Sequence, residues 1–181
     1  PRASPPPDAL LVPVTLPASA RGECKRVADV LQQPDSLALG PELESELQLL
    51  ARIIYRHQSQ HRGSLHLRQA RMLLAGCRKV AAAQTHQVLS SARSLCKPDD
   101  GGAPCRELLD FLCARAVSDA VLAMRGRRVA GLLFESMGCQ LRRTYFMPLA
   151  LTLMPLAARV HAVLSARVRA LGGMFERVRA A

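Results

Sequence analysis

Residues 41–62 read PELESELQLLARIIYRHQSQHR, and this stretch decides the fold. Pro41 suits the first turn of a helix, where its missing N–H costs nothing. Glu42, Glu44 and Glu46 follow in the first turns, favourable at the positive end of the helix macrodipole. Leu43, Leu47, Leu50 and Ile54 recur at steps of three and four, which marks one buried helical face. The pattern predicts a helix to about residue 60, broken by Gly63. Its last turns change character: Arg52, Arg56 and Arg62 stand with His57, His61, Gln58 and Gln60, and no carboxylate accompanies them.

Working outward, the same periodicity recurs and no alternating strand pattern does. A second helix is expected at about 64–83, with a less secure continuation through the polar stretch 84–94. Lys97-Pro-Asp-Asp-Gly-Gly-Ala-Pro104 is the sharpest punctuation in the chain. Long helices are expected at about 105–139, loosened at Gly126 or Gly131, and at about 145–178, kinked at Pro155 and near Gly172-Gly173. A short helix is expected at 22–33. Residues 1–20 hold six prolines and form an extended strap, with Leu10, Leu11, Val12, Val14 and Leu16 able to lie in a groove. The apolar content is Leu, Ala, Val and Met, with no Trp, two Tyr and four Phe, which favours helix over strand. The expected fold is all-α: an elongated antiparallel bundle of about four to six helices over 21–181, preceded by the proline-rich strap 1–20.

The six cysteines form no CxxC pair and sit mostly in apolar helical surroundings, as small hydrophobes in a reducing compartment. The N-terminus lacks the basic and apolar regions of a signal peptide. The longest uncharged run, 144–158, falls short of the roughly 20 residues that span a bilayer.

Charge points to the partner. The chain carries a formal +11, and residues 47–98 contain no Asp or Glu while holding nine Lys and Arg. Soluble helices ordinarily interleave both signs. Withholding every acid costs stability by like-charge repulsion, which an anionic partner would offset. On the second helix Arg68, Arg71, Arg78 and Lys79 fall within an arc of about 100°, at about 100° per residue. Leu67, Ala70, Leu74 and Cys77 fall largely elsewhere. A helical hairpin with a basic outer stripe suits a phosphate backbone, since guanidinium forks grip phosphate oxygens and Gln, Tyr and His add neutral donors. The candidate RNA-binding residues are Arg52, Tyr55, Arg56, His57, Gln60, His61, Arg62, Arg68, Arg71, Arg78 and Lys79. The alternative is a solvated charged face. A weaker basic theme follows Glu135, with seven arginines against Glu176 alone.

Other chemistry finds no support. His57 and His61 have the spacing of HExxH but not its glutamate, and no zinc spacing occurs. There is no P-loop, no GxSxG and no convergent acid cluster for two-metal catalysis. No catalytic residue, metal or cofactor is therefore expected. The methionines are expected as core filler. Single-strand readers usually show aromatic platforms. Tyr55 and Tyr145 are the only stacking candidates noted, and both are expected to pack, so binding should read backbone and shape rather than bases. A protein–protein scaffold, with strap and last helix docking a neighbour, is the second reading; peripheral membrane binding is disfavoured without Trp.

The stretch YRHQSQHRGSLHLRQARMLL resembles a region shared by two related families: the N-terminal domain of nucleolus and neural progenitor protein (Nepro) and the fungal protein subunit specific to RNase MRP. The strap LLVPVTLP, the segment ELESELQLLARIIYRHQSQHR and the apolar LALTLMPLAARVHAVLSARVRAL extend the resemblance over most of the chain. Residues 81–104 and Pro155 depart from the pattern. The resemblance implies a non-catalytic, RNA-binding subunit of RNase MRP, whose catalytic centre is RNA, working with other protein subunits in precursor ribosomal RNA processing in the nucleolus. It carries Tyr55, Arg56, Gln60, His61, Arg62, Arg68 and Arg71 over as the RNA-contacting set.

Overall fold

The structure is a computed structural model that describes residues 11–13, 41–95, 102–104 and 106–180. Five helices account for nearly all of them: α1 (Pro41–His57), α2 (Leu65–Ala82), α3 (Thr85–Leu95), α4 (Arg106–Arg142) and α5 (Met147–Ala180). The all-α expectation holds. The expected helix 22–33 and nearly all of the strap lie outside the described residues. One short antiparallel ladder was not expected: β1 (Leu11–Pro13) pairs with β2 (Gly102–Pro104), Leu11 opposite Pro104 and Pro13 opposite Gly102. Three-residue strands have no room for a period-two signal, and prolines are tolerated because both strands are edges.

The chain divides into two compact units. One contains residues 39–82 and 121–168, so it joins α1 and α2 to the later part of α4 and most of α5. Short links, 58–64 and 143–146, make each pair an antiparallel hairpin. Leu43, Leu47, Leu50 and Ile54 of α1 are buried as their spacing demands. They meet Leu67, Leu73 and Val80 of α2, Ala130, Leu133 and Met137 of α4, and Leu149, Leu153, Leu156, Val160 and Leu164 of α5 in one cluster. Each fully buried leucine contributes about 1.5–3 kcal/mol relative to exposure. Met147–Arg177 is long and apolar enough, at mean hydropathy 1.5, to pass for a membrane span. Part of that window is buried in the cores, 39% of it, while Met147 and Leu151 stay exposed. Pro155 sits inside α5 without ending it. Leu151, whose carbonyl loses its helical partner there, is exposed, so water can satisfy it. The Glu46 carboxylate ties α1 to α5 through a two-pronged pair with Arg159, Nε–Oε1 2.6 Å and Nη2–Oε2 3.0 Å.

The second unit comprises, among the described residues, 11–13, 83–95, 102–104, 106–120 and 169–180. Its core is smaller: Leu89, Leu108, Leu112, Ala116, Leu171 and Met174. Arg115 donates to the Ala83 carbonyl just ahead of α3. The methionines divide rather than fill the core as expected: Met137 and Met174 are buried, while Met72, Met124 and Met147 are exposed.

The link from α4 to α5 is strained. Tyr145 N–H donates to the Gln140 carbonyl and Thr144 N–H to that of Leu141, at 3.1 and 3.0 Å. That is a Schellman closure with Thr144 in the left-handed position, φ 57°, where glycine is usual. A β-branched residue there is costly. Thr144→Gly should therefore raise unfolding free energy by about 0.5–1 kcal/mol, after the glycine's extra unfolded-state entropy is subtracted. Urea denaturation checks this, and an unchanged or lower midpoint would contradict the strain.

Candidate nucleic-acid interface

α1 and α2 carry their cations outward. With Leu43, Leu47, Leu50 and Ile54 pinned inside, the 3.6-residue phase turns Arg52 and Arg56 to the surface, and both are exposed. On α2, burial of Leu67, Gln69, Ala70, Leu73, Cys77 and Val80 leaves Arg68, Arg71, Arg78 and Lys79 exposed. Arg62 projects from the turn between the helices. None of these seven cations joins an ion pair among the described residues. The later basic theme is mixed: Arg159 is paired with Glu46 and Arg167 is buried, while Arg142, Arg143, Arg169, Arg177 and Arg179 are exposed.

The turn 58–63 has two sides. One bounds a cleft of about 440 Å³ lined by Gln58, Ser59, Arg62 and Arg71. Two guanidiniums with an amide and a hydroxyl are the donor set a phosphate accepts from. The turn is closed by His61 N–H to the His57 carbonyl, 3.0 Å, and by the Ser64 hydroxyl to the His61 carbonyl, 2.7 Å.

The other side holds a cleft of about 550 Å³, whose lining includes Gln60, His61, His66, Ser136, Gln140 and Phe146. His61 was expected among the surface donors; it is instead buried, 9% exposed. α1 ends at His57, so the helical phase no longer governs residue 61. Its ring stands edge-on to Phe146 at 4.4 Å and to His66 at 5.3 Å. His57 is half-buried, 5.9 Å from His61, with its Nδ1 enclosed and without a partner. His66 is 5% exposed, and its Nε2 is likewise enclosed and unpartnered. Burial, then the neighbouring His61 and His57, hold its pKa below the ordinary histidine value, so the ring is neutral at pH 7. Among the described residues no three His, Cys, Asp or Glu groups converge to hold a metal ion.

Two expectations about aromatics are corrected. Tyr55 is 76% exposed and Tyr145 61%, so neither packs. Gln60 is exposed as expected. Sequence reasoning missed His66, Ser136, Gln140 and Phe146. Ser136 donates to Gln69 Oε1 at 2.6 Å, joining α4 to α2 behind the cleft. Nothing local marks these residues, because the cleft joins α4 and the link after it to a turn some 80 residues earlier.

A model of the family described as nucleolus and neural progenitor protein, N-terminal, matches residues 7–178. The chain belongs to this family. No curated protein and no solved structure matches the chain. The nucleolus and neural progenitor family takes in both units and every candidate residue above, and its name points to the nucleolus, which supports a nuclear, nucleolar location in general.

Proposed function

We propose that this chain is a non-catalytic, RNA-binding subunit of the RNase MRP ribonucleoprotein that supports precursor ribosomal RNA processing in the nucleolus. The carrying observation is the α1–α2 surface: seven exposed cations without ion-pair partners among the described residues, and a polar cleft lined by both Arg62 and Arg71. Membership of a nucleolar family supports the setting. The hairpin acts as a clamp that neutralises phosphates; the reaction belongs to the RNA, and other protein subunits hold the remainder of the particle. No membrane is involved in this reading: Leu149, Leu153, Leu156, Val160 and Leu164 of α5 belong to a protein core.

Counterion release gives the test. If about seven cations each meet a phosphate, log affinity for single-stranded RNA falls with log salt at a slope near −5. Fluorescence anisotropy between low and physiological salt measures it, and a slope near −1 would remove the clamp. A second reading is a scaffold between nuclear proteins without major RNA contact. It is favoured by the exposed Tyr145, Met147 and Leu151 at the start of α5. Protein contacts within the purified particle that survive nuclease digestion, together with a flat salt profile, would select it.

A further inference from the structure

The two clefts share one wall. Gln58, Ser59 and Arg62 line the smaller, arginine-bearing one, while Gln60 and His61 of the same turn line the larger one. A nucleotide has the same layout, with its anion a few ångströms from a flat heterocycle. We propose that the larger cleft takes one unpaired nucleobase of an RNA strand whose phosphate lies between Arg62 and Arg71. The inference rests on the RNA-binding reading and adds to it a base pocket that backbone clamping does not require.

Three features support a base over other occupants. The first is the polar lining: Gln60 and Gln140 stand in the cleft with Ser136 and offer both donors and acceptors to a base edge. The second is Phe146. Its backbone is left-handed, φ 52°, which a bulky residue rarely adopts. That conformation is held where the ring meets His61, and the residue still stays 49% exposed in the cleft lining, within reach of a stacking partner. Strain of this kind collects at functional sites. The third is size: about 550 Å³ lies within the roughly 300–1,000 Å³ of small-ligand pockets.

Cys139 lies on the rim of the cleft and is exposed, so it reports occupancy. Burial pushes the Cys77 thiol up to about 11, which keeps that cysteine silent. The experiment uses the full chain and two kinds of probe. A ten-nucleotide single-stranded RNA is compared with the same strand made abasic, by anisotropy. Separately, iodoacetamide labelling of Cys139 is followed by peptide mass spectrometry with a millimolar 5′-mononucleotide or with ribose 5-phosphate. The base-bearing strand should bind about tenfold more tightly than the abasic one, the usual scale for one stacked base. Phe146→Ala should erase that preference without changing affinity for the abasic strand, and Phe146→Tyr should keep it. The mononucleotide should slow Cys139 labelling while ribose 5-phosphate does not. Equal affinity for the two strands, with Cys139 unprotected, overturns the pocket and leaves the phosphate clamp standing. A base preference that persists in Phe146→Ala likewise overturns this location. If neither strand binds, the RNA reading fails on its own; mononucleotide protection of Cys139 then still upholds the pocket, and its absence ends both.

Discussion

The double variant Arg56→Ala, Arg62→Ala should bind single-stranded RNA about 30- to 150-fold more weakly than the parent chain at low salt. Each arginine offers a charge-assisted contact worth about 1–1.5 kcal/mol net in such an exposed setting. Both are exposed and neither has an ion-pair partner among the described residues, so their removal leaves no buried charge behind there. The loss should therefore appear in binding and not in the unfolding midpoint. It should also be uniform across sequences, because phosphate contacts carry no base information. The salt slope should become shallower by about 1.4, two contacts at about 0.7 each. The contrasting change is Arg159→Ala. It removes one like charge but frees Glu46, whose side chain is only 18% exposed. That variant should lose stability and keep its slope. A double variant that binds as the parent does, at moderate salt, would show that the hairpin is not the clamp.

The separation between those arginines follows from what could be read in the chain. Spacing alone placed the stripe, because α1 and α2 are regular and their leucines fix the rotation of every other residue. Arg52 and Arg56 had to face away from Leu50 and Ile54. The same wheel turns Tyr55 about 110° from the centre of the apolar face, at about 100° per residue. Its exposure was thus legible, and the general tendency of tyrosine to pack obscured it. His61 was not legible. Once α1 ends, direction is set by the hydrogen bonds of the turn, and these depend on Ser64 and on where Phe146 arrives. The base-sized cleft was hidden for the same reason. It is made by long-range packing and by two left-handed residues, Thr144 and Phe146, whose sequence gives no hint of φ > 0. The β1–β2 ladder is too short to leave a pattern. Arg159 shows the limit of counting charges: it belonged by sequence to a basic tail and by structure to a helix–helix tie.

Gly126→Leu should destabilise the chain by about 3 kcal/mol or more, and the reason corrects a sequence expectation. Glycine inside a helix suggests a loosened segment, and Gly126 and Gly131 both invited that reading. α4 runs unbroken through both. At Gly126 a Cβ would stand 2.9 Å from Leu164 Cδ1, inside the fully buried core of α5. On α2, a Cβ at Gly76 would lie 3.9 Å from the Gly126 Cα, so the missing side chains set how near three helices come. Leucine at 126 has no space, and overpacking a dense interior forces off-rotamer side chains or backbone shifts. Gly126→Ala is the finer probe. Helix propensity favours it by about 1 kcal/mol, while the contact with Leu164 opposes it by a similar amount, so the net change should be near zero or unfavourable. Gly131 supplies the control on the same helix. A Cβ there meets nothing within 4 Å, so Gly131→Ala should gain the propensity in full, about 0.5–1 kcal/mol. Chemical denaturation of the four chains measures all of this. Were Gly126→Leu tolerated as well as Gly131→Ala, the glycine at 126 would be a helix defect after all, and the close approach of α2, α4 and α5 would have to be abandoned.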